Sequence, residues 1–179
     1  MIYEPGEQFT DFHQSREILR MITGRRGSGK TTAGINEVGY LLPKWIKDNY
    51  GVTETRWAVV SFYRHDLPIF FMNWFPQAQF SHTSGKMIID HEEGISVEIF
   101  FFSGSADSYR WYKMPKDEQG KRHKVEHVRF EYSKLKAFEM TGYFIESADH
   151  LPELRRELNG RIGRYPRKCP VRFGIEEES

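Results

Sequence analysis

Cysteine is nearly missing from this sequence: Cys169 is the one thiol among 179 residues. A lone thiol cannot close an intramolecular disulfide, and no Asn-x-Ser/Thr triplet occurs. Both absences argue against an oxidising, glycosylating compartment. Long apolar runs are missing as well. The longest apolar-rich stretch, Leu67 to Trp74, is broken by Pro68 and Asn73 and is too short to span a bilayer. Met1 to Glu7 carries neither a basic patch nor an apolar segment, so no secretory signal peptide is expected. Charge of one sign is also lacking, since 26 basic and 25 acidic residues leave a net +1. No global basic field points to nucleic acid, and no acidic tail points to a solvating segment. What the chain does have is 39% hydrophobic and 15% aromatic residues, which excludes a disordered chain. At roughly 150 residues per domain the length suits one domain, with a core that needs no cross-links. The expected class is a soluble intracellular α/β domain.

No internal repeat or low-complexity segment is present. Residues 1 to 17 read as polar and irregular, with Pro5 and Gly6 as breakers. Ile18 to Thr23 reads as a short buried strand, followed by a glycine-rich loop from Gly24 to Gly29. From Lys30 to about Lys47, apolar residues recur every three or four positions (Ile35, Val38, Leu41 or Leu42, Trp45), which predicts a helix that Pro43 kinks or ends. Trp57 to Phe62 predicts a second strand, and Leu67 to Phe75 a short helix or irregular apolar segment. Lys86 to Phe102 reads as a hairpin turning at His91 to Gly94. Tyr109 to Lys124 is rich in Lys and Arg and reads as a surface loop, and Val125 to Tyr132 as an exposed strand. Thr141 to Ile145 fits a central parallel strand, and Pro152 to Asn159 a helix with Leu154 and Leu158 on one face. The chain closes on an acidic end, Glu176 to Glu178.

Gly24-Arg25-Arg26-Gly27-Ser28-Gly29-Lys30-Thr31 matches G-x-x-x-x-G-K-[ST] without a mismatch. The context is right: a strand runs into the loop and a helix begins at Lys30. Gly24, Gly27 and Gly29 let backbone N–H groups turn toward a phosphate without a Cβ in the way. Ser28, Lys30, Thr31 and Thr32 complete the expected nucleotide-binding set. Lys30 reaches the β and γ oxygens, and the Thr31 hydroxyl ligates Mg²⁺. The expected ligands are therefore ATP and Mg²⁺. Arg25 and Arg26 are either a solvated loop edge or, for Arg26 in particular, a charge aimed at the γ-phosphate.

Such a site needs a carboxylate at the end of a neighbouring strand for the Mg²⁺ shell, and usually a second one to orient water. Gly142-Tyr143-Phe144-Ile145-Glu146 is the apolar strand that ends in acid, which makes Glu146 the expected metal-side and catalytic residue. Ser147 follows it where a second acid would stand. In one register Glu146 serves the metal and Ser147 faces the water; in a register shifted by one, Glu146 itself orients the water. Between Arg155 and Lys168 there are six basic residues and one acid. That run, with Arg161 and Arg164 in a glycine-flanked turn, is a phosphate sensor, a DNA-facing edge or a solvated face.

Taken in order, these segments resemble the large terminase subunit of tailed bacteriophages, the ATP-driven DNA-packaging motor. The likeness runs from about Phe9 to Pro166. It rests on Phe12-His13-x-Ser15, on Arg20-x-Ile22-x-Gly24 leading into the phosphate loop, and on Trp57 to Val60 followed by Asp66-Leu67 and Trp74-Phe75-Pro76. It continues with Leu135-Lys136-x-x-Glu139-Met140-Thr141-Gly142 before the acidic strand and Gly160 to Pro166 after it. The resemblance implies a P-loop NTPase fold, α/β, with a mostly parallel central sheet flanked by helices and an antiparallel hairpin. It implies double-stranded DNA as the translocated substrate and a portal protein and small terminase subunit as partners. It also implies a homo-oligomer on the portal that is monomeric in isolation, in the cytoplasm of the infected bacterial host. Arg26 matches the family's P-loop arginine, and His13 and Gln14 its adenine-contacting segment.

Three departures stand against the family pattern. Ser61 occupies a position that tends to carry arginine. Ser147 occupies the catalytic glutamate position, which predicts weak hydrolysis. The coupling motif after the acidic strand is expected to be missing or unrecognisable, with nothing in Pro170 to Ser179 to replace it. Residues 1–179 are thus expected to form a single ATPase domain, shortened or from a split gene, with the nuclease domain absent from this chain. Two other functions remain open: a different P-loop enzyme, such as a small kinase or DNA-repair ATPase, and a nucleotide-binding assembly domain that has lost hydrolysis.

Overall fold

The computed structural model describes residues 3–61, 66–103, 138–146, 152–167, 169 and 171–178. Among them, seven strands form one sheet in the order β1-β7-β6-β2-β5-β4-β3. The strands are β1 (Leu19–Ile22), β2 (Glu54–Ser61), β3 (Gln79–Ser81), β4 (Lys86–His91), β5 (Ile95–Ser103), β6 (Gly142–Glu146) and β7 (Phe173–Glu177). Neighbours from β1 through β5 run parallel, and β4 and β3 add antiparallel pairs at one edge. This is the mixed α/β sheet with a hairpin that the sequence predicts.

The chain's end holds the main addition. Glu176 and Glu177, read from the sequence only as part of an acidic end with no element assigned, belong to a strand. They finish β7, which is inserted between β1 and β6 and is buried along its length. Val171, Phe173 and Ile175 are buried there. The first residues are not irregular: a short 3₁₀ turn (Glu7–Phe9) leads into α1 (Thr10–Gln14), and Phe9 enters the core. The segments 104–137 and 147–151 lie outside the described residues, and with them the expected basic loop, the strand at Val125 to Tyr132 and Ser147.

Strand alternation sends each strand's side chains to two covered faces, which explains the near-continuous apolar runs. Trp57, Val59 and Phe144 join the larger cluster with Ile35, Val38, Leu42 and Phe71. Ala58, Val60, Tyr143 and Ile145 join the smaller one with Leu154 and Leu158 of α5 (Pro152–Asn159). Burying each of those two leucines contributes roughly 1.5–3 kcal/mol.

The helix after the phosphate loop runs from α2 (Lys30–Asn36) through a π turn (Glu37–Leu41) into α3 (Leu42–Tyr50). Pro43 neither ends it nor leaves a broken bond. Proline has no N–H for the carbonyl four residues back, and that carbonyl, on Gly39, is engaged by His91 Nε2 at 2.8 Å instead. Helix α4 (Leu67–Trp74) then packs Phe71 into the core.

Candidate functional site

The ends of β1, β7, β6 and β2 meet the phosphate loop at the carboxyl edge of the parallel strands, where ligands bind in open α/β sheets. Gly29 caps α2 with φ 91°, a left-handed conformation that a side chain would strain. Gly34 lets the helix lie directly on β6: a Cβ there would come within 2.5 Å of the Phe144 ring. The start of α2 is thereby held over the strand tips. Gln8 Nε2 donates to the Ser28 carbonyl at 2.9 Å and braces the loop from outside.

Lys30 is buried, and its Nζ donates to the Gly24 carbonyl at 2.9 Å and the Glu178 carbonyl at 2.6 Å. The ammonium thus waits between two neutral acceptors that an anionic oxygen can outcompete. The Thr31 hydroxyl sits 3.5 Å from Glu146 Oε1 and 3.1 Å from Glu177 Oε1. The other Glu146 oxygen accepts from Ser61 Oγ at 2.5 Å. Ser61 and Glu146 are partners in the β2–β6 ladder, so the serine that breaks the expected pattern is placed to orient the acid. Hard oxygen donors of this kind, a hydroxyl beside carboxylates, fit Mg²⁺ accompanied by phosphates and water.

The remaining predicted residues are distributed unevenly. Gly24, Gly27 and Ser28 are in the loop, Ser28 Oγ being buried there without a hydrogen-bond partner. Thr32 is half-buried one residue past Thr31, and Arg26 is exposed on the loop. His13 is turned inward: Nδ1 pairs with Glu37 Oε2 at 2.5 Å and Nε2 with Tyr3 Oη at 2.9 Å. Gln14 is exposed. In the basic turn, Arg161 pairs with Glu157 at 2.6 Å, and Arg155 forks onto Glu176 at 2.5 and 2.7 Å. Both arginines are therefore braced within the domain, while Arg164 and Arg167 are exposed.

The pairing of Arg20 with Glu37 and the approach of Glu177 to Thr31 escaped the sequence reading. Arg20 Nη1 reaches Glu37 Oε1 at 2.7 Å, and its guanidinium stacks on Phe12 and Phe173. Burial lowers the Arg20 pKa, and Glu37 pulls it back up. Glu37 looks like an ordinary polar position in the helical pattern, so only the π turn and α1 reveal its burial. A signal for Glu177 does exist: Gly174-Ile175-Glu176-Glu177 repeats the apolar-to-acid ending of Phe144-Ile145-Glu146.

The fold is similar to that of solved large terminases. The large terminase of a thermophilic bacteriophage superposes with a TM-score of 0.58 at 12% identity, over 91% of this chain and 34% of that one. The ATPase domain of the Thermus phage P74-26 large terminase gives 0.54 at 13%, over 98% of this chain and 65% of that one. The fold is that of a large-terminase ATPase domain. An ADP complex of the first terminase matches with a TM-score of 0.52 at 11% identity, over 96% of this chain and 36% of that one. The chain thus spans about a third of the length of that terminase. No family model matches the sequence, and no curated protein does. Among the described residues no helix is long and apolar enough to cross a membrane.

Proposed function

We propose that this chain is the ATP-binding and ATP-hydrolysing motor domain of a viral DNA-packaging terminase, which drives double-stranded DNA into a procapsid. The observation that carries the reading is the Thr31 hydroxyl of an intact phosphate loop standing 3.5 Å from Glu146 at the tip of a parallel strand. The likeness in fold to a terminase ATPase domain and to a large terminase in complex with ADP supports it. In this reading the loop N–H groups of Gly27 to Lys30 hold the β-phosphate, and Lys30 leaves a carbonyl for the β and γ oxygens. Mg²⁺, when bound through Thr31 and Glu146, supplies charge neutralisation of the phosphates. Arg26, exposed on the loop, is free to swing toward the γ-phosphate. Ser147, which the family resemblance aligns with the catalytic glutamate, offers only a hydroxyl, a poor base, so turnover by the chain alone is slow. Double-stranded DNA, a portal protein, a small terminase subunit and further copies of the chain are the partners of this reading, in the host cytoplasm.

The test is calorimetric titration with ATP and Mg²⁺. The wild-type chain is expected to bind, and Lys30→Ala to lose binding by tenfold or more, about 1.4 kcal/mol, because a close charge on the phosphates is gone. Equal affinity in the two proteins would overturn the phosphate-loop assignment.

A further inference from the structure

The sequence assigns one carboxylate to the nucleotide site, but the fold brings two. β7 lies between the strand that feeds the phosphate loop and the strand that ends at Glu146. Ile145 and Glu176 are paired in the parallel ladder, so the next residues, Glu146 and Glu177, end adjacent strands side by side. Alternation then separates the two neighbouring acids of β7. Glu176 turns to the α5 face and is neutralised by Arg155, with Tyr143 Oη at 3.2 Å. Glu177 turns to the α2 face and meets Thr31 at 3.1 Å, closer than Glu146 at 3.5 Å.

Glu146 and Glu177 are 5% and 7% exposed. The single Thr31 hydroxyl proton can serve one carboxylate oxygen at a time. Lys30, the cation on the same loop, is engaged by two carbonyls. Two shielded carboxylates that converge on one hydroxyl repel each other, and a shared cation relieves that repulsion. Magnesium bound with a nucleotide characteristically takes one or two carboxylates with phosphate oxygens and water.

We propose that Glu177 is a second magnesium-side carboxylate of the nucleotide site, sharing with Glu146 and Thr31 the hydrated ion that accompanies ATP. This rests on the ATP-binding reading above. The position is the tip of β7, so metal occupancy is coupled directly to the strand beside β1, which feeds the phosphate loop.

The experiment titrates a non-hydrolysable ATP analogue into wild type, Glu177→Gln and Lys30→Ala, each with excess EDTA and with Mg²⁺. Wild type is expected to bind more tightly with Mg²⁺. Glu177→Gln binds the metal-free analogue no more weakly than wild type, because a negative charge beside the phosphates is gone, and loses about ten- to a hundredfold of the Mg²⁺-dependent gain. A Gln variant with the full gain overturns the proposal while leaving ATP binding intact. No analogue binding by wild type would instead overturn the nucleotide reading, and this proposal with it. Should Glu177→Gln fail to fold, wild type loaded with Fe²⁺ and the analogue, then treated with ascorbate and peroxide, supplies the answer. Analogue-dependent backbone cleavage is expected near both Glu146 and Glu177. Cleavage near Glu146 alone overturns the proposal.

Discussion

Ser61 Oγ donates a 2.5 Å hydrogen bond to Glu146 Oε2 across the adjoining tips of β2 and β6. The bond holds one carboxylate oxygen and leaves the other turned to Thr31. Ser61→Ala removes that donor from a buried acid, which costs about 1–3 kcal/mol. Urea denaturation is expected to show the loss, and ATP titration a weakened Mg²⁺-dependent gain. Unchanged values for both would mean that Ser61 does not orient Glu146.

Hydrolysis separates the two registers of the acidic strand end. With Glu146 on the metal side, Ser147→Glu restores a water-facing carboxylate and raises phosphate release at saturating ATP, by up to about 10² to 10⁴. A brisk wild-type rate that Ser147→Glu leaves unchanged and Glu146→Gln destroys would make Glu146 the water-orienting residue.

The buried pair of Arg20 and Glu37 joins β1 to the π turn, with side chains 3% and 1% exposed. Glu37→Gln strands a buried guanidinium without its counter-charge. A loss of about 3 kcal/mol is expected, at the low end for breaking one side of a buried pair. Chemical denaturation measures it, and a loss below about 1 kcal/mol would show that the pair is not a strong anchor.

Glu98 offers a pH dependence with a definite sign. Partial burial pushes its carboxyl pKa up, but hydrogen bonds from Lys86 and Arg56, with their charges, outweigh this and hold it below its usual 4.5. A carboxyl whose folded-state pKa is depressed contributes stability above its unfolded pKa and loses it as pH falls through the folded one. Wild type is therefore expected to lose stability to acid below about pH 4.5, and Glu98→Gln to lose less over that interval. Parallel melting curves for the two proteins down to pH 3 would contradict the assignment.

Gly34→Ala tests the close approach of helix to sheet. The added methyl meets the Phe144 ring at 2.5 Å, so the helix, and Thr31 with it, must shift away from β6. Overpacking of this kind costs about 1–3 kcal/mol. A lower melting temperature and weaker ATP binding are expected together. A variant as stable as wild type would show that the ring simply moves.

Local chemistry determined much of this protein. Strand, glycine loop and helix follow one another from Leu19 to Asn36 because apolar periodicity and glycine conformations act over a few residues. The same holds for the hairpin of β4 and β5, and for Glu146 at the end of its apolar strand. The place of Phe173–Glu177 was decided only by tertiary structure. From the sequence it is only an acidic end; in the fold β1 and β6 flank it, Arg155 neutralises Glu176, and Thr31 meets Glu177 from a position 146 residues earlier. His13 and Glu37 follow the same logic: one resembles a ligand contact and the other a surface charge. Their pairing depends on α1 folding back over the π turn, a contact between segments 24 residues apart. Sequence patterns carry the preferences of neighbours along the chain. Which strand enters the middle of a parallel sheet depends on long-range pairing and on the charges that meet there, and no local pattern encodes that.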